Sequence, residues 1–193
     1  MASLYFYYAS MNSGKSSQLI QSAYNYKERG MRTLILKPAV DNRDSEFAVV
    51  SRIGLEAEAV LVRDDTAILS LVNLDILNEG KLHCILVDEA QFLTEAHVTE
   101  LAYIVDTMGI PVLCYGLRND FTGNAFPGSG KLLAIADKLV EVKSICHCGA
   151  KSTHVLRLDG DGNVLRAGPQ VQIGGNDSYV AVCRKHWRNG EYE

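Results

Sequence analysis

The segment Leu4-Tyr5-Phe6-Tyr7-Tyr8-Ala9-Ser10-Met11-Asn12-Ser13-Gly14-Lys15-Ser16 carries the strongest structural signal in this sequence. Its aromatic first half predicts a buried strand, and the small polar residues after it predict a loop. Gly14-Lys15-Ser16 then stands at the start of a predicted helix, which is the position of a phosphate-binding loop. Backbone N–H groups hold the phosphates there, Lys15 neutralises their charge, and the Ser16 hydroxyl can bind Mg²⁺. The tripeptide alone is common, but its place between strand and helix is specific.

One position departs from the full pattern G-x-x-x-x-G-K-[ST], because Ala9 stands where the pattern has its first glycine. Alanine is the least costly replacement wherever the backbone does not need a positive φ. The departure therefore bears on the first turn of the loop and leaves the nucleotide-binding prediction in place.

Outward from this segment, helical and strand patterns alternate along the chain. Apolar residues recur at helical spacing after Lys15 and again after Thr94, a helix-capping residue. Short apolar runs between the helices predict strands that are buried on both faces. We therefore predict an α/β fold with a mostly parallel sheet flanked by helices. The predicted strands are residues 4–8, 33–36, 83–87 and 110–115, and the predicted helices are residues 15–29 and the segment from the Thr94 cap to Gly109.

The composition is that of an ordinary globular protein, with 193 residues of which 47% are hydrophobic and 22% charged. This length supports one domain with at most a small appendage. The net charge of −4 argues against bulk binding to nucleic acid or to anionic membranes, which select basic surfaces. Apolar runs stay far below the roughly 18 residues of a membrane span, and the amino terminus lacks a basic region and a cleavage pattern, so we expect a cytoplasmic protein.

Two adjacent carboxylates, Asp88 and Glu89, follow a predicted buried strand. Ligands of α/β proteins bind at the carboxyl ends of strands, so this pair falls at the sheet edge where the phosphate loop also lies. Because adjacent side chains diverge, one carboxylate can face the Mg²⁺ near Ser16 while the other faces an acceptor. Asp88 suits the metal, and Glu89 suits a general base that takes the proton of an attacking hydroxyl.

Cys146-x-Cys148 and Cys183-x-x-His186 have the composition of a metal site. Three thiolates and one imidazole form a closed tetrahedral set, which is typical of structural Zn²⁺. His147 could compete as a ligand, but adjacent side chains diverge. The chain has five cysteines, an odd number, and no export signal, which argues against a disulfide framework.

From Glu141 onward the sequence changes to short apolar pieces, paired glycines and clustered Cys and His. We therefore predict a phosphate-binding domain at residues 1–142 and a zinc-binding domain at residues 143–193. A part of about fifty residues is too small to form a stable hydrophobic core alone, so we expect bound zinc to stabilise its fold. Cys84 and Cys114 fall in predicted strands and are expected to be core residues.

Two further motifs are expected to be misleading. Gly128-Ser129-Gly130-Lys131 resembles a second phosphate loop, but Leu132 replaces the metal-binding hydroxyl and no predicted strand immediately precedes it. Asp159-Gly160-Asp161-Gly162-Asn163 resembles the start of a calcium loop, but Val164 replaces the required glycine, so a hairpin turn is favoured.

Five motifs in this order resemble those of the type II thymidine kinases, most closely the bacterial branch, over residues 4–186. They are residues 10–16 (SMNSGKS), 87–92 (VDEAQF), 115–121 (YGLRNDF), the Cys/His set, and 171–176 (VQIGGN). The resemblance implies a P-loop kinase domain and a small zinc-stapled β domain that carries a loop called the lasso, residues 166–178. It implies transfer of the γ-phosphoryl of ATP to the 5′-hydroxyl of thymidine, and of deoxyuridine, with Mg²⁺ bound and Glu89 as the catalytic base. It further implies a homotetramer that dTTP inhibits.

The same resemblance assigns two sets of contacts. ATP and its phosphates would contact Ala9, Ser10, Met11, Asn12, Ser13, Gly14, Lys15, Ser16, Asp88, Glu89, Ala90 and Gln91. Thymidine would contact Met11, Leu117, Phe121, Val155, Val171, Gln172, Ile173, Gly174, Gly175 and Tyr179. Backbone groups from Val171 to Gly175 would hydrogen-bond the thymine edge, where glycine permits close approach. Arg43, Arg52 and Arg118 are alternatives for an arginine that stabilises the transferring group.

Two alternatives come from other classes of protein. A regulatory P-loop module could bind nucleic acid through its zinc part, but the acidic balance and the missing basic, aromatic-rich face argue against it. Salt-dependent DNA binding would reveal such a module. A purely structural zinc protein with a vestigial nucleotide loop would leave the placement of Glu89 unexplained, and nucleoside-dependent ADP release would exclude it.

Overall fold

The computed structural model describes residues 1–39, 48–171 and 178–193. In chain order the elements are β1 (Leu4–Ala9), α1 (Lys15–Glu28), β2 (Thr33–Pro38), β3 (Ala48–Val50), β4 (Glu56–Glu58), β5 (Val60–Val62), α2 (Ile68–Glu79), β6 (Cys84–Val87), a 3₁₀ turn (Ala90–Phe92), α3 (Glu95–Met108), β7 (Val112–Leu117), α4 (Pro127–Ile135), β8 (Lys138–Glu141), β9 (His154–Leu158), β10 (Val164–Leu165), β11 (Tyr179–Val182) and α5 (Arg184–Asn189). Six strands form the main sheet in the order β5-β2-β6-β7-β1-β8. Each neighbouring pair is parallel, as the alternation of strands and helices predicts.

Alternate residues of the central strands bury opposite faces of this sheet, which explains why the strands are continuous apolar runs in the sequence. In β6, Ile85 and Val87 face a core shared with α2, α3 and α4. Cys84 and Leu86 face a smaller core beneath α1. Helices therefore cover both faces, and Cys84 and Cys114 are both completely buried core residues, as predicted.

The predicted helices begin and end at their capping residues. Gly14 takes a left-handed conformation (φ 82°) immediately before α1. At α3, the Thr94 hydroxyl accepts the His97 N–H (3.1 Å), and the His97 ring accepts the Thr94 N–H (3.3 Å). Gly109, also left-handed, ends this helix. Strand β7 begins later than predicted, at Val112, and its pairing with β1 continues to Leu117.

A second, antiparallel sheet in the order β10-β9-β11 forms the carboxyl-terminal part of the chain. The buried residues of its small hydrophobic core are Cys146, Leu156 and Val182. The Asp159 carboxylate accepts the backbone N–H groups of Asp161 (3.0 Å) and Asn163 (2.7 Å), which closes the turn between β9 and β10. This is the hairpin turn that the sequence favours over a calcium loop.

Several elements were not predicted. The segment between β2 and β6 contains three strands of three residues each, which are too short for a period of two to stand out, and also α2. Helix α4 and strand β8 were missed as well. Within α4, Gly128 and Ser129 are buried helical residues, so the second glycine-lysine motif is not a phosphate loop. Among the described residues, no helix has the length and apolar character needed to span a membrane.

Candidate active site

The phosphate loop connects β1 to α1 at the carboxyl edge of the main sheet. Ala9 is the last residue of β1 and has extended backbone, so alanine is accommodated in place of glycine. Asn12 (φ 60°) and Gly14 (φ 82°) take left-handed conformations that turn the chain into the helix. A phosphate at this turn would meet the positive end of the α1 dipole.

Lys15 is a buried cation in this loop, with 8% of its surface exposed. Its Nζ donates to the Ser10 carbonyl (3.0 Å) and to the Ser13 hydroxyl (3.4 Å). Burial lowers the pKa of Lys15, and the nearby carboxylates of Glu89 and Asp88 oppose that change. Phosphate groups in the loop would add negative charge and so favour the protonated ammonium group.

Asp88 follows β6 directly and is 4% exposed. Its Oδ2 accepts a hydrogen bond from the Ser16 hydroxyl (2.9 Å), whereas its Oδ1 is buried without a hydrogen-bond partner among the described residues. Burial raises the pKa of Asp88 to about 7; the Glu89 carboxylate adds to this rise, and the Ser16 hydrogen bond opposes it. A buried carboxylate oxygen beside a hydroxyl fits Mg²⁺, which prefers oxygen ligands.

Glu89 lies at the junction of β6 and the 3₁₀ turn, with left-handed backbone (φ 47°). Such a conformation is costly for a residue with a Cβ and is found preferentially at functional sites. The Glu89 carboxylate accepts a hydrogen bond from Gln91 Nε2, while Gln91 Oε1 accepts the Leu117 N–H (3.0 Å). A Cβ at Gly116 would lie 2.8 Å from Gln91 Oε1, so glycine there allows the amide to reach β7. Gln91 thus links Glu89 to the end of β7.

A cavity of about 320 Å³ contains most of the predicted phosphate contacts. Those that line it are Met11, Asn12, Ser13, Gly14, Lys15, Ser16, Asp88, Glu89 and Gln91. Ala9, Ser10 and Ala90 are buried behind this lining. The Ser10 carbonyl contacts Lys15 from there, so its role in the structure is indirect.

The predicted nucleoside contacts line the same cavity. Those in the described part of the chain are Met11, Leu117, Phe121, Val155, Val171 and Tyr179. They come from the phosphate loop, the end of β7 and the second sheet, which are distant in sequence. Gln172, Ile173, Gly174 and Gly175 lie outside the described residues, so the backbone recognition expected there stays a prediction.

The candidate arginines differ in position. Arg52 lines the cavity. Arg118 is not among the lining residues; it donates instead to the Thr153 carbonyl (3.1 Å) and to the Asn119 side chain (3.3 Å). Arg43 lies outside the described residues. Of the two arginines that the structure describes, Arg52 is therefore the better placed to meet a phosphate group.

Sequence reasoning assigned no role to several other lining residues. Phe92 and Phe126 meet edge to face, with ring centroids 5.7 Å apart. Phe92 ends the motif at residues 87–92, but the sequence does not indicate that its side chain lines the cavity. No local sequence pattern distinguishes Phe126. Further lining residues of this kind are Ser17, Lys37, Val50, Ser51, Ile53, Asn119, Asp120 and Gln170.

The predicted Cys/His cluster is assembled beside the second sheet. The ligand atoms of Cys146, Cys148, Cys183 and His186 lie within 4.8 Å of one another. The Cys148 and Cys183 sulfurs are 4.0 Å apart, and Cys146 Sγ is 3.3 Å from His186 Nδ1. A tetrahedral Zn²⁺ with bonds of ~2.3 Å to sulfur needs sulfurs about 3.8 Å apart, so these residues fit the metal. Every cysteine is free of disulfide bonds.

The surroundings of Cys146 favour a thiolate ligand. Desolvation opposes its ionisation, but hydrogen bonds from the Cys148 backbone and from His186 lower the pKa of Cys146 to about 6. His147 lies beside the cluster, where its ring stacks on His186 with centroids 4.3 Å apart. Its Nδ1 is 3.5 Å from Cys146 Sγ.

The main sheet is parallel, is flanked by helices, and has a loop with the Gly14-Lys15-Ser16 sequence at the edge of the cavity. This arrangement defines the class of the protein, the P-loop kinases. The particular family follows from comparison with known proteins: the family model described as thymidine kinase matches residues 2–187. Thymidine kinases of Yersinia pestis and Shewanella oneidensis are 56% and 55% identical to the chain over 188 residues, which is 97% of this chain and 95% and 97% of theirs. The thymidine kinase of Coxiella burnetii is 50% identical over 191 residues, 99% of this chain and 97% of its own.

The chain therefore belongs to the thymidine kinase family and is a phosphotransferase with bacterial relatives. This confirms the resemblance seen in the five sequence motifs.

Proposed function

We propose that this chain transfers the γ-phosphoryl group of ATP to the 5′-hydroxyl of thymidine, and less efficiently to that of deoxyuridine, giving the nucleoside monophosphate and ADP. The observation that carries the proposal is a single cavity lined by the phosphate loop, the carboxylate pair and an apolar pocket. Family membership favours thymidine as the nucleoside that occupies the pocket.

The proposed chemistry depends on charge and position. Lys15 and the amino end of α1 hold the phosphates of ATP and offset their charge in the ground state and the transition state. Glu89 accepts the proton of the 5′-hydroxyl as this oxygen attacks, and Arg52 faces the transferring group. Mg²⁺, bound by Ser16 and Asp88, would neutralise phosphate charge.

The proposed base pocket is largely apolar. Its contacts to thymine are Met11, Leu117, Phe121, Val155 and Tyr179, with the backbone of residues 171–175 hydrogen-bonding the polar edge of the base. The edge-to-face pair of Phe92 and Phe126 extends the apolar wall. Val155 can contribute only packing, because its side chain has no hydrogen-bonding group.

Further proposals concern the molecule outside the cavity. We infer Zn²⁺ at the Cys/His cluster, a domain boundary between residues 142 and 143, a homotetramer, inhibition by dTTP, and a cytoplasmic location without nucleic-acid or membrane partners. Metal analysis, light scattering and inhibition of the purified protein by dTTP test the first, third and fourth of these. Limited proteolysis that cuts near residue 142 tests the boundary.

The central test is Glu89→Gln, which keeps the shape of the side chain but removes the base. We expect ATP and thymidine to bind nearly as before while turnover falls ~10²–10⁴-fold, the usual contribution of a general base. Glu95→Gln is the matched control, since Glu95 is exposed at the start of α3 and should leave turnover unchanged. Near-normal turnover of Glu89→Gln would remove Glu89 from the proposed role.

Nucleoside specificity is a second test. Cytosine has an acceptor at N3 and an amine donor at C4 where thymine has a donor and an acceptor, so deoxycytidine would leave buried backbone groups unpaired. At roughly 1–3 kcal/mol for each unpaired group, we expect discrimination on the order of 10²-fold or more. Loss of the methyl group in deoxyuridine should cost only about tenfold. Competition among the three nucleosides measures both ratios, and comparable phosphorylation of deoxycytidine and thymidine would contradict the proposed recognition.

A further inference from the structure

Trp187 is the only tryptophan of the chain and lies between the Cys/His cluster and the nucleoside pocket. It follows the cluster residue His186 in α5, and its backbone N–H donates to the Cys183 carbonyl (2.9 Å). Its ring stacks on His154 of β9, with centroids 4.8 Å apart. The backbone and ring of Trp187 are therefore tied to the metal-binding part of the chain.

The polar edge of the same ring reaches the other part of the chain. Trp187 Nε1 donates to the Phe121 carbonyl with a distance of 2.8 Å. A Cβ at Gly123 would lie 3.0 Å from two carbons of the indole, so the loop after β7 packs closely on the ring. Phe121 is only 2% exposed, and no other described residue donates to its carbonyl, so losing this bond would leave the carbonyl buried and unpaired.

Phe121 is held on its other side by the second sheet. The guanidinium of Arg157 lies over the Phe121 ring, 5.0 Å from its centroid, and also donates to the Pro169 carbonyl (2.9 Å). Gln170 Nε2 donates to the neighbouring Asp120 carboxylate (2.8 Å). The loop that carries Phe121 into the cavity is thus oriented by contacts from outside its own sheet.

We propose that Trp187 is a positioning residue for nucleoside binding, which couples the order of helix α5, the helix that carries the proposed zinc ligand His186, to the placement of Phe121 in the cavity. This inference rests on the proposed function, because it takes the nucleoside as the ligand that Phe121 meets. Without the indole N–H, the loop occupies its binding-competent conformation for a smaller fraction of the time. The apparent affinity for nucleoside falls by that fraction, while the phosphate loop and Glu89 are unaffected.

The first experiment is Trp187→Phe, which keeps an aromatic ring against His154 but removes the donor to Phe121. We expect the KM for thymidine to rise about three- to tenfold, the usual effect of losing one hydrogen bond to a buried carbonyl, with much smaller changes in kcat and in the KM for ATP. The zinc content of the variant should equal that of the unmodified protein. An unchanged KM for thymidine in this variant would overturn the proposal. Loss of zinc from the variant would also overturn it, because Trp187 would then act by stabilising the Cys/His cluster.

Tyr192→Phe is a matched control. Tyr192 packs in the same small core and its hydroxyl also donates to a backbone carbonyl, but that carbonyl belongs to Gly162 in the β9–β10 turn (2.8 Å). Removing this hydroxyl costs a comparable bond between two residues that are not among those lining the cavity. The thymidine KM of Tyr192→Phe should therefore stay at the unmodified value, and a rise equal to that of Trp187→Phe would overturn a specific role for Trp187.

The fluorescence of Trp187 gives a readout independent of activity. In the unmodified protein, thymidine should change the tryptophan emission with a midpoint near the thymidine concentration that half-saturates binding. A silent tryptophan at saturating thymidine would overturn the coupling. Failure of the proposed function is a different result: no thymidine monophosphate would form in the unmodified protein, whereas a silent tryptophan with normal product formation contradicts only the role of Trp187.

Discussion

Asp88 shows at the scale of one residue how a binding site carries a cost in stability. Its carboxylate is buried, one oxygen is without a protein hydrogen-bond partner among the described residues, and its neighbour Glu89 is also acidic. Burial, and then the Glu89 carboxylate, raise its pKa to about 7, whereas an ordinary aspartate titrates near 3.8. The folded protein therefore holds a proton at Asp88 that the unfolded chain releases at lower pH.

This difference predicts a pH-dependent effect of Asp88→Asn in protein without Mg²⁺. As the pH rises from about 4 through 7, the unfolded chain binds fewer protons than the folded protein, so the stability of the unmodified protein falls. Asparagine does not ionise, and the variant should be more stable above pH 7, by on the order of a few kcal/mol, with little difference near pH 4. Urea unfolding at several pH values in magnesium-free buffer measures the effect.

Asp106→Asn is the control for this prediction, because Asp106 is exposed on α3 and should show no such trend. A stability difference for Asp88→Asn that does not vary with pH would contradict the assigned cause. Phosphoryl transfer by Asp88→Asn should be strongly reduced even where its stability is higher, since the proposed magnesium ligand is lost.

At the scale of elements, the packing of α4 on the 3₁₀ turn shapes the site. A Cβ at Gly128 would lie 2.5 Å from the Ala90 carbonyl oxygen and 2.7 Å from that of Leu93, both of them backbone atoms. The 3₁₀ turn also contains Gln91, which hydrogen-bonds Glu89. The motif that looks like a second phosphate loop therefore has a packing role: its first glycine lets α4 approach the turn.

Gly128→Ala should push α4 away from the 3₁₀ turn and shift Gln91. We expect a loss of about 1–3 kcal/mol in unfolding free energy from overpacking, with reduced turnover. Gly130→Ala is the control in the same helix, because its Cβ would meet only the Ala125 Cβ at 3.9 Å. That change should instead stabilise the helix by about 0.5–1 kcal/mol. Urea unfolding measures the change in unfolding free energy of both variants. Equal changes in Gly128→Ala and Gly130→Ala would contradict the packing argument.

At the scale of the whole molecule, the cavity depends on two sheets that have separate cores. Val155 and Tyr179 on the second sheet line the same cavity as the phosphate loop that follows β1 of the main sheet. The second sheet has only a small buried core of its own. A bound metal would therefore contribute much of its stability, and through it the shape of the nucleoside pocket.

Cys183→Ser tests this dependence. We expect bound zinc to fall from about one per chain, amide exchange to rise after Glu141, and activity to fall, while the main sheet stays folded. Cys114→Ala is the control. It should destabilise the main sheet and leave the zinc content unchanged, because Cys114 is buried in the core that this sheet shares with α2, α3 and α4 and is not part of the Cys/His cluster. Freshly prepared protein without zinc, or a disulfide between Cys146 and Cys148, would contradict the proposal.

The sequence by itself determined the features that depend on near neighbours in the chain. The phosphate loop, the capped ends of α1 and α3, the buried strands and the Asp159 turn all follow from local spacing, because hydrogen bonds and side-chain periodicity act over a few residues. The five ordered motifs were also enough to recognise the family.

Only the tertiary structure decided which of these features meet. It places Arg52 in the cavity and Arg118 against Thr153, puts Phe126 beside Phe92, and brings Trp187 to Phe121. No local sequence pattern predicts these contacts, because each joins elements whose relative position is set by strand order and core packing. Strand β5 was missed for the same reason, because it pairs with β2, which is distant in sequence. Strands β3 and β4 pair with each other, and each is too short for a period of two to stand out.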